Sequence, residues 1–241
     1  MPRYHMAIHE PYRLSYREIS MQPALEAYRS VRALYRRIRK QSVFEKIHRD
    51  NLWGDPESRS GTGSGLAATE KIRHGLLDTM ERLGVHTMVD APCGDYYWLS
   101  TLNLPRRLQW YKGLDIVPQV IHRNREEWAS ETVSFETSDL AKRVPPCADL
   151  ILCRHLLIHL SLDDCLRVLR NFKASGSNYL MITNQPDVER NEEILFTGAY
   201  RPINLYLPPF NFPQPVMSIE DAQKPGDKAE AAVFEIAKLS C

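Results

Sequence analysis

A chain of 241 residues is long enough for one well-buried α/β domain with a terminal extension and short for two full domains. With 43% hydrophobic and 25% charged residues it has an ordinary globular composition; no apolar run is long enough to span a bilayer, and residues 1–10 lack the apolar segment of a secretory leader. A net charge of +1 gives no general case for nucleic-acid binding, and Cys93, Cys147, Cys153, Cys165 and Cys241 follow neither metal-ligand nor disulfide spacing, so no metal is expected and a reducing cytoplasm is the simplest setting.

Residues 1–20 carry no sustained period. From Pro23 to Lys40, Leu25, Tyr28, Val31, Leu34, Tyr35 and Ile38 recur at helical steps, while Arg29, Arg32, Arg36, Arg37, Arg39 and Lys40 form a basic face. That face is either solvated or meets phosphates, an anionic membrane or an acidic glycan. Residues 1–50 are assigned to an N-terminal helical extension. Trp53-Gly54-Asp55-Pro56 and Ser60-Gly61-Thr62-Gly63-Ser64-Gly65 then make a loop over 51–65, rich in small residues, before a helix predicted over Leu66–Leu83. The loop lacks the Gly-Lys-Ser/Thr ending of a triphosphate-binding turn, and reads as a lid or as a flexible connector.

An apolar strand over His86–Val89 stops abruptly in Asp90-Ala91-Pro92-Cys93-Gly94-Asp95, where Pro92 and Gly94 force a turn. In an open parallel sheet, ligands sit beyond the carboxyl ends of the strands, where this turn falls. A helix is expected from Tyr96 to Leu102, ended by Pro105. Roughly twenty residues after the turn, a second strand, Trp110–Ile116, delivers Asp115 at the spacing of a ribose-binding carboxylate. Pro118 opens a helix through Val120, Ile121, Asn124 and Trp128, and a third strand, Thr132–Thr137, brings Asp139 to the same edge, as a nucleobase acceptor or a turn aspartate. A fourth strand, Ala148–Cys153, ends in Arg154-His155; Ser161 caps the next helix, and a fifth strand, Asn178–Asn184, ends beside Gln185. The alternation predicts a mostly parallel sheet with helices on both faces.

Residues 186–215 are irregular but rich in aromatics and proline, too apolar to leave in water, and read as an ordered insertion on the substrate side. Val216–Glu220 and Ala231–Leu239 complete the sheet as an antiparallel hairpin joined through Lys224-Pro225-Gly226-Asp227.

The series Val89-Asp90-Ala91-Pro92-Cys93-Gly94-Asp95, Gly113-Leu114-Asp115-Ile116 and Ser138-Asp139-Leu140 resembles the nucleoside-binding motifs of class I S-adenosylmethionine-dependent methyltransferases. A closer resemblance, to a bacterial methyltransferase-domain family of poorly defined substrate, runs from Asn51-Leu52-Trp53-Gly54 and Ser60–Ser64 to Arg201-Pro202-Ile203-Asn204-Leu205 and Pro208–Pro213. The commoner loop of this class carries glycines where Pro92 and Tyr96 stand; Gly94 alone keeps the usual position. The resemblance implies a Rossmann-like sheet with an antiparallel last strand over 51–241. It implies S-adenosyl-L-methionine as cofactor, held by Trp53, Ser60, Gly61, Ser64, Asp90, Ala91, Cys93, Gly94, Asp95, Asp115, Ile116, Asp139, Leu140 and Arg154. Asp90 and Asp95 would take the ammonium end, Asp115 the ribose diol and Asp139 the adenine amino group.

For a hydroxyl acceptor a group must take the proton, and an imidazole titrates in the right range. His155 is the first candidate and His159 the second, although His159 suits equally a helix–sheet contact. Arg154 can orient an acidic acceptor or the cofactor carboxylate, and Asn184, Arg201 and Asn204 are candidate substrate contacts, although Arg201 and Asn204 suit equally the holding of their own loop in shape. The leading expectation is O-methylation of a small molecule or, by analogy with surface-glycan synthesis, a saccharide. An RNA or protein methyltransferase and an inactive cofactor-binding scaffold are the alternatives. A nicotinamide enzyme wants more glycine in its phosphate turn than this loop offers.

Overall fold

The computed structural model describes residues 40–223 and 226–240. The helix expected over 23–39 and the Lys224-Pro225 part of the hairpin link lie outside the described residues.

Among the described residues, seven strands form one sheet: β1 (Thr87–Asp90), β2 (Trp110–Asp115), β3 (Val133–Thr137), β4 (Leu150–Cys153), β5 (Tyr179–Asn184), β6 (Met217–Glu220) and β7 (Glu230–Glu235). Their order is β3-β2-β1-β4-β5-β7-β6, parallel from β3 to β5, with β7 antiparallel to both β5 and β6. The mixed sheet agrees with the sequence expectation.

The central strands are covered on both faces, which is why β4 reads as an unbroken Leu-Ile-Leu-Cys run rather than an alternating one. Side chains of β1 point alternately into two cores: Val89 meets Val120, Val168 and Leu169 on one side, and Met88 joins Ile72, Leu76 and Met80 on the other. Each such fully buried aliphatic side chain contributes roughly 1.5–3 kcal/mol. The first core is covered by helices α1 (40–49), α3 (Pro118–Trp128) and α4 (Leu162–Ala174), the second mainly by α2 (Glu70–Leu83). Phe44 and Ile47 of α1 are buried in the first core. The sheet domain therefore takes in residues that the sequence assigned to an extension ending at residue 50.

Two local expectations are corrected. α2 starts at Glu70 rather than Leu66, because the Thr69 hydroxyl bonds back to the carbonyls of Gly65 (2.9 Å) and Leu66 (3.3 Å), holding a turn in place of a first helical turn. The α-helix expected over Tyr96–Leu102 is instead a pair of 3-10 turns, Leu99–Leu102 and Leu104–Arg106. Tyr96 and Asn103 both adopt positive φ (57° and 51°). The Tyr96 ring is thereby turned onto Tyr111 and Phe135, at centroid distances of 5.1 and 5.2 Å. Pro105, expected to end a helix, sits inside the second turn.

The insertion over 186–215 contains no strand or helix yet buries Ile203, Leu205, Phe210 and Phe212 in the first core. It is fastened to the 3-10 turn after β4, Leu157–His159, by Gly198 N–H to His159 O (2.9 Å) and Arg201 N–H to Ile158 O (3.0 Å).

Candidate active site

The carboxyl ends of β1, β2 and β4 open on a cavity of about 540 Å³. Its floor is the loop after β1. The amide of Ala91 donates to Leu152 O (2.8 Å) and that of Cys93 to Leu114 O (2.9 Å), so the loop stays bonded to both neighbouring strands. Gly94 follows at φ 51°, where its amide donates to Asp115 Oδ2 (3.1 Å) and its carbonyl accepts from Asn124 Nδ2 (2.8 Å). A Cβ at Gly94 would stand 2.3 Å from Ser60 Oγ.

Asp115 closes β2 and also accepts from Val117 N–H (2.9 Å). Burial raises its carboxyl to about 6, against the opposing pull of these amides. Asp90, deeper in the floor, is pushed up by burial to about 8, although the Tyr111 hydroxyl donates to it at 2.7 Å. Asp90 is thus largely neutral at pH 7, and a cation brought against it would restore its charge.

Residues 51–65, read from the sequence as a lid or a connector, place Trp53 and residues 59–64 along the cavity wall. Asp95 holds the lid: its carboxylate accepts from Ser58 Oγ (2.9 Å), Arg59 N–H (2.9 Å) and Ser60 Oγ (3.0 Å). Ser60, Gly61 and Ser64 line the cavity, as does Trp53, whose indole stacks on His159 at 4.7 Å and 23°.

The chain leaves β4 through Arg154 and His155. Arg154 is buried and pairs bidentately with Asp221, Nε to Oδ2 at 2.8 Å and Nη2 to Oδ1 at 2.6 Å, while its Nη1 donates to Gly63 O of the lid at 2.6 Å. His155 sits at φ 54°, a conformation its Cβ disfavours, fixed by its amide donating to Thr183 Oγ1 (2.9 Å). Its Nε2 lies 3.5 Å from Asp221 Oδ2. Burial, then the charge of Arg154, holds its imidazole well below the usual histidine range, so it is neutral. Burial likewise lowers His159, against a contact of Nδ1 with Ala199 O at 2.8 Å.

The cavity therefore gathers Trp53, Ser60, Gly61, Ser64, Asp90, Cys93, Gly94, Asp95, Asp115, Ile116, Arg154, His155 and His159. Ala91 is buried in the core behind the loop. Other candidates fall elsewhere. Asp139 and Leu140 line a small neighbouring pocket, and Asp139 is paired with Lys40 at 2.8 Å and Lys142 at 3.2 Å. Asn184 bonds Glu230 Oε1 and Leu205 N–H; Asn204 bonds the carbonyls of Pro186 and Val188. Arg201 is buried beneath the insertion, donating to Leu160 O. These three do not line the cavity: Asn184 and Asn204 bond backbone groups of residues 186–205, and Arg201 bonds a carbonyl of the turn after β4, so each has partners within the chain. Arg154, expected to meet an acid, is already matched by one from within the chain.

Sequence reasoning passed over Asp221, Gln223 and Asp227 after β6, Tyr200 in the insertion, and Phe44 and His48 of α1. Asp221 follows a strand and precedes a Pro-Gly turn, where aspartate is ordinary, so no local signal marks it. Among the described residues no group of three or more His, Cys, Asp or Glu side chains is arranged to hold a metal ion, and no helix is long and apolar enough to cross a membrane.

No family model matches the chain, and no curated protein matches it. Solved structures do. An S-adenosylmethionine-dependent methyltransferase, SibL, in its apo form aligns at TM-score 0.50 and 17% identity over 69% of this chain and 55% of that one. LaPhzM aligns at TM-score 0.49 and 15% identity, covering 69% and 55% of the two chains. Human N-acetylserotonin methyltransferase in complex with SAM aligns at 0.47 and 15%, covering 68% and 51%. This chain spans about half the length of these three structures. The likeness to SibL is one of fold: a Rossmann-like, mostly parallel sheet with an antiparallel last strand.

Proposed function

We propose that this protein is an S-adenosylmethionine-dependent methyltransferase acting on a hydroxyl of a small molecule or saccharide. The observation that carries the reading is that His155, neutral at the exit of β4, shares one cavity with the loop over 90–95 and the Asp115 carboxylate. The cofactor supplies an electrophilic methyl on a sulfonium. Asp115 would accept from the ribose hydroxyls, Gly94 would let the backbone approach, and Asp90 would regain its charge against the ammonium. Ile116 and Val117 offer apolar surface to the base. Trp53 and the lid residues 58–64 would exclude water once the site is filled. His155 would take the acceptor proton as the methyl departs from sulfur; an amine acceptor would need no such base. The free thiols Cys93, Cys147, Cys153 and Cys165 fit a reducing, cytoplasmic setting.

The test is calorimetric binding of S-adenosylmethionine and S-adenosylhomocysteine to wild type and Asp115→Ala, with NADH as control, followed by an acceptor screen that starts with sugars. Binding that is lost in the variant supports the cofactor reading. A folded wild type that binds neither compound overturns it, and tight binding with no turnover on any acceptor class favours an inactive scaffold.

A further inference from the structure

Asp221 comes from the far edge of the sheet, yet its side chain is fully buried beside the exit of β4. Its carboxylate is locked in orientation by the two-point contact with Arg154, and Gln223 Nε2 adds a contact to Oδ1 at 3.2 Å. The Oδ2 atom stands 3.5 Å from His155 Nε2. On the other side of the ring, the Cε1–Nδ1 edge lies against Gly63: a Cβ there would be 2.6 Å from Cε1 and 2.7 Å from Nδ1. Only glycine fits against that edge, and both Gly63 and His155 line the cavity. Arg154 grips the carbonyl of this same Gly63. Lid, base and hairpin thus meet through one buried ion pair.

Resting on the reading of His155 as base, we infer that Asp221 is a positioning residue that holds the His155 imidazole as its Nε2–H tautomer, leaving Nδ1 as the proton acceptor facing the cavity. A carboxylate accepts and does not donate, so the nitrogen beside Oδ2 is the one that carries hydrogen. In the transfer, the acceptor O–H proton passes to Nδ1, the oxygen pair forms the new C–O bond, and the C–S pair returns to sulfur, leaving a neutral thioether. The imidazolium so formed lies between Arg154 and Asp221, and the carboxylate offsets the guanidinium that would otherwise oppose it. The other charged and titratable groups near the ring are His159, one turn on, and Asp227 and Asp90 across the cavity. Arg154 makes the arrangement depend on the lid: with Gly63 withdrawn, the guanidinium loses one partner and the ring loses its wall.

Histidine-labelled full-length protein provides the test by long-range 1H–15N correlation spectra, with the His155 signals assigned by their loss in His155→Gln. The wild type should show the Nε2–H form of His155 in severalfold excess, since at 3.5 Å the carboxylate acts on the ring as a nearby charge rather than through a short hydrogen bond. Asp221→Asn, which keeps the shape and removes the charge, should reduce that excess severalfold and make the ring harder to protonate. A wild-type Nδ1–H tautomer overturns the inference, as does an unchanged His155 in a folded Asp221→Asn. If that variant does not fold, the wild-type tautomer decides alone. S-adenosylhomocysteine affinity measured on the same samples separates the two readings: its absence in wild type would sink the cofactor reading and leave the tautomer result standing.

Discussion

The amide of Gly94 donates to the carboxylate of Asp115 across 3.1 Å, tying the loop after β1 to the end of β2. One oxygen of Asp115 is thereby committed to the loop, and the other to Val117. Each oxygen has a further lone pair for a ligand. Asp115→Ala should weaken S-adenosylhomocysteine binding at least about tenfold, since hydrogen bonds to a charged group are each worth roughly 1.5–3 kcal/mol. Unchanged affinity in calorimetry would remove Asp115 from the site.

The floor also sets a pH dependence of stability. Asp90 at about 8 and Asp115 at about 6 both lie above the unfolded carboxylate value of 3.8. At these two groups the folded state binds more protons than the unfolded one, so their contribution to stability falls as pH rises from about 4 through 8, by up to about 1.4 kcal/mol per unit for each group within its own window, while the buried neutral His155 and His159 act in the opposite sense below about 6.5. Urea unfolding should therefore give a higher midpoint at pH 7 than at pH 8. Asp90→Asn should flatten that part of the curve and gain most at the alkaline end; a wild-type midpoint that climbs between pH 7 and 8 would contradict the buried neutral acid.

Lys40 is buried between two acids, 2.8 Å from Asp139 and 3.4 Å from Asp164. Although burial opposes it, the Lys40 contact holds the Asp139 carboxyl below its usual range. Lys40→Met leaves both carboxylates without this cation, and a loss of about 3–5 kcal/mol is expected in denaturant unfolding. Adding Asp139→Asn should return part of that loss, and strictly additive effects would show that the pair is not coupled.

Asp95 gathers three consecutive residues of the lid, Ser58, Arg59 and Ser60, on one carboxylate. Asp95→Ala should speed hydrogen exchange at the amides of residues 58–64 by more than about tenfold while leaving those of β4 unchanged. Equal protection in the variant would mean that Arg154 and the packing of Trp53 hold the lid by themselves.

Asn204 donates to Pro186 O and Val188 O and accepts from Tyr206 N–H. Its truncation to alanine leaves these buried groups unpaired, and a destabilisation of about 1–3 kcal/mol is expected, with faster exchange across 186–207. A substrate contact would instead leave stability untouched and lower turnover.

The sequence by itself determined the sheet, its parallel core and the cluster at its carboxyl edge. Those features rest on local chemistry: apolar runs as long as a strand, a Pro-Gly turn that cannot extend a strand, and acids placed immediately after them. Asp90, Asp115 and His155 were legible because the two acids close their strands and His155 follows β4 within two residues, and a strand's end fixes where its side chains go. The tertiary structure decided everything that depends on two distant segments meeting. It placed Lys40 on Asp139, Asp221 beside His155, and Ser58 on Asp95, at separations of 99, 66 and 37 residues. It also turned Asn184 and Asn204 onto the backbone of residues 186–205 and Arg201 onto the carbonyl of Leu160. The type of a side chain is written in the sequence; whether its hydrogen bonds go to a ligand or to its own chain depends on which partners folding brings within reach.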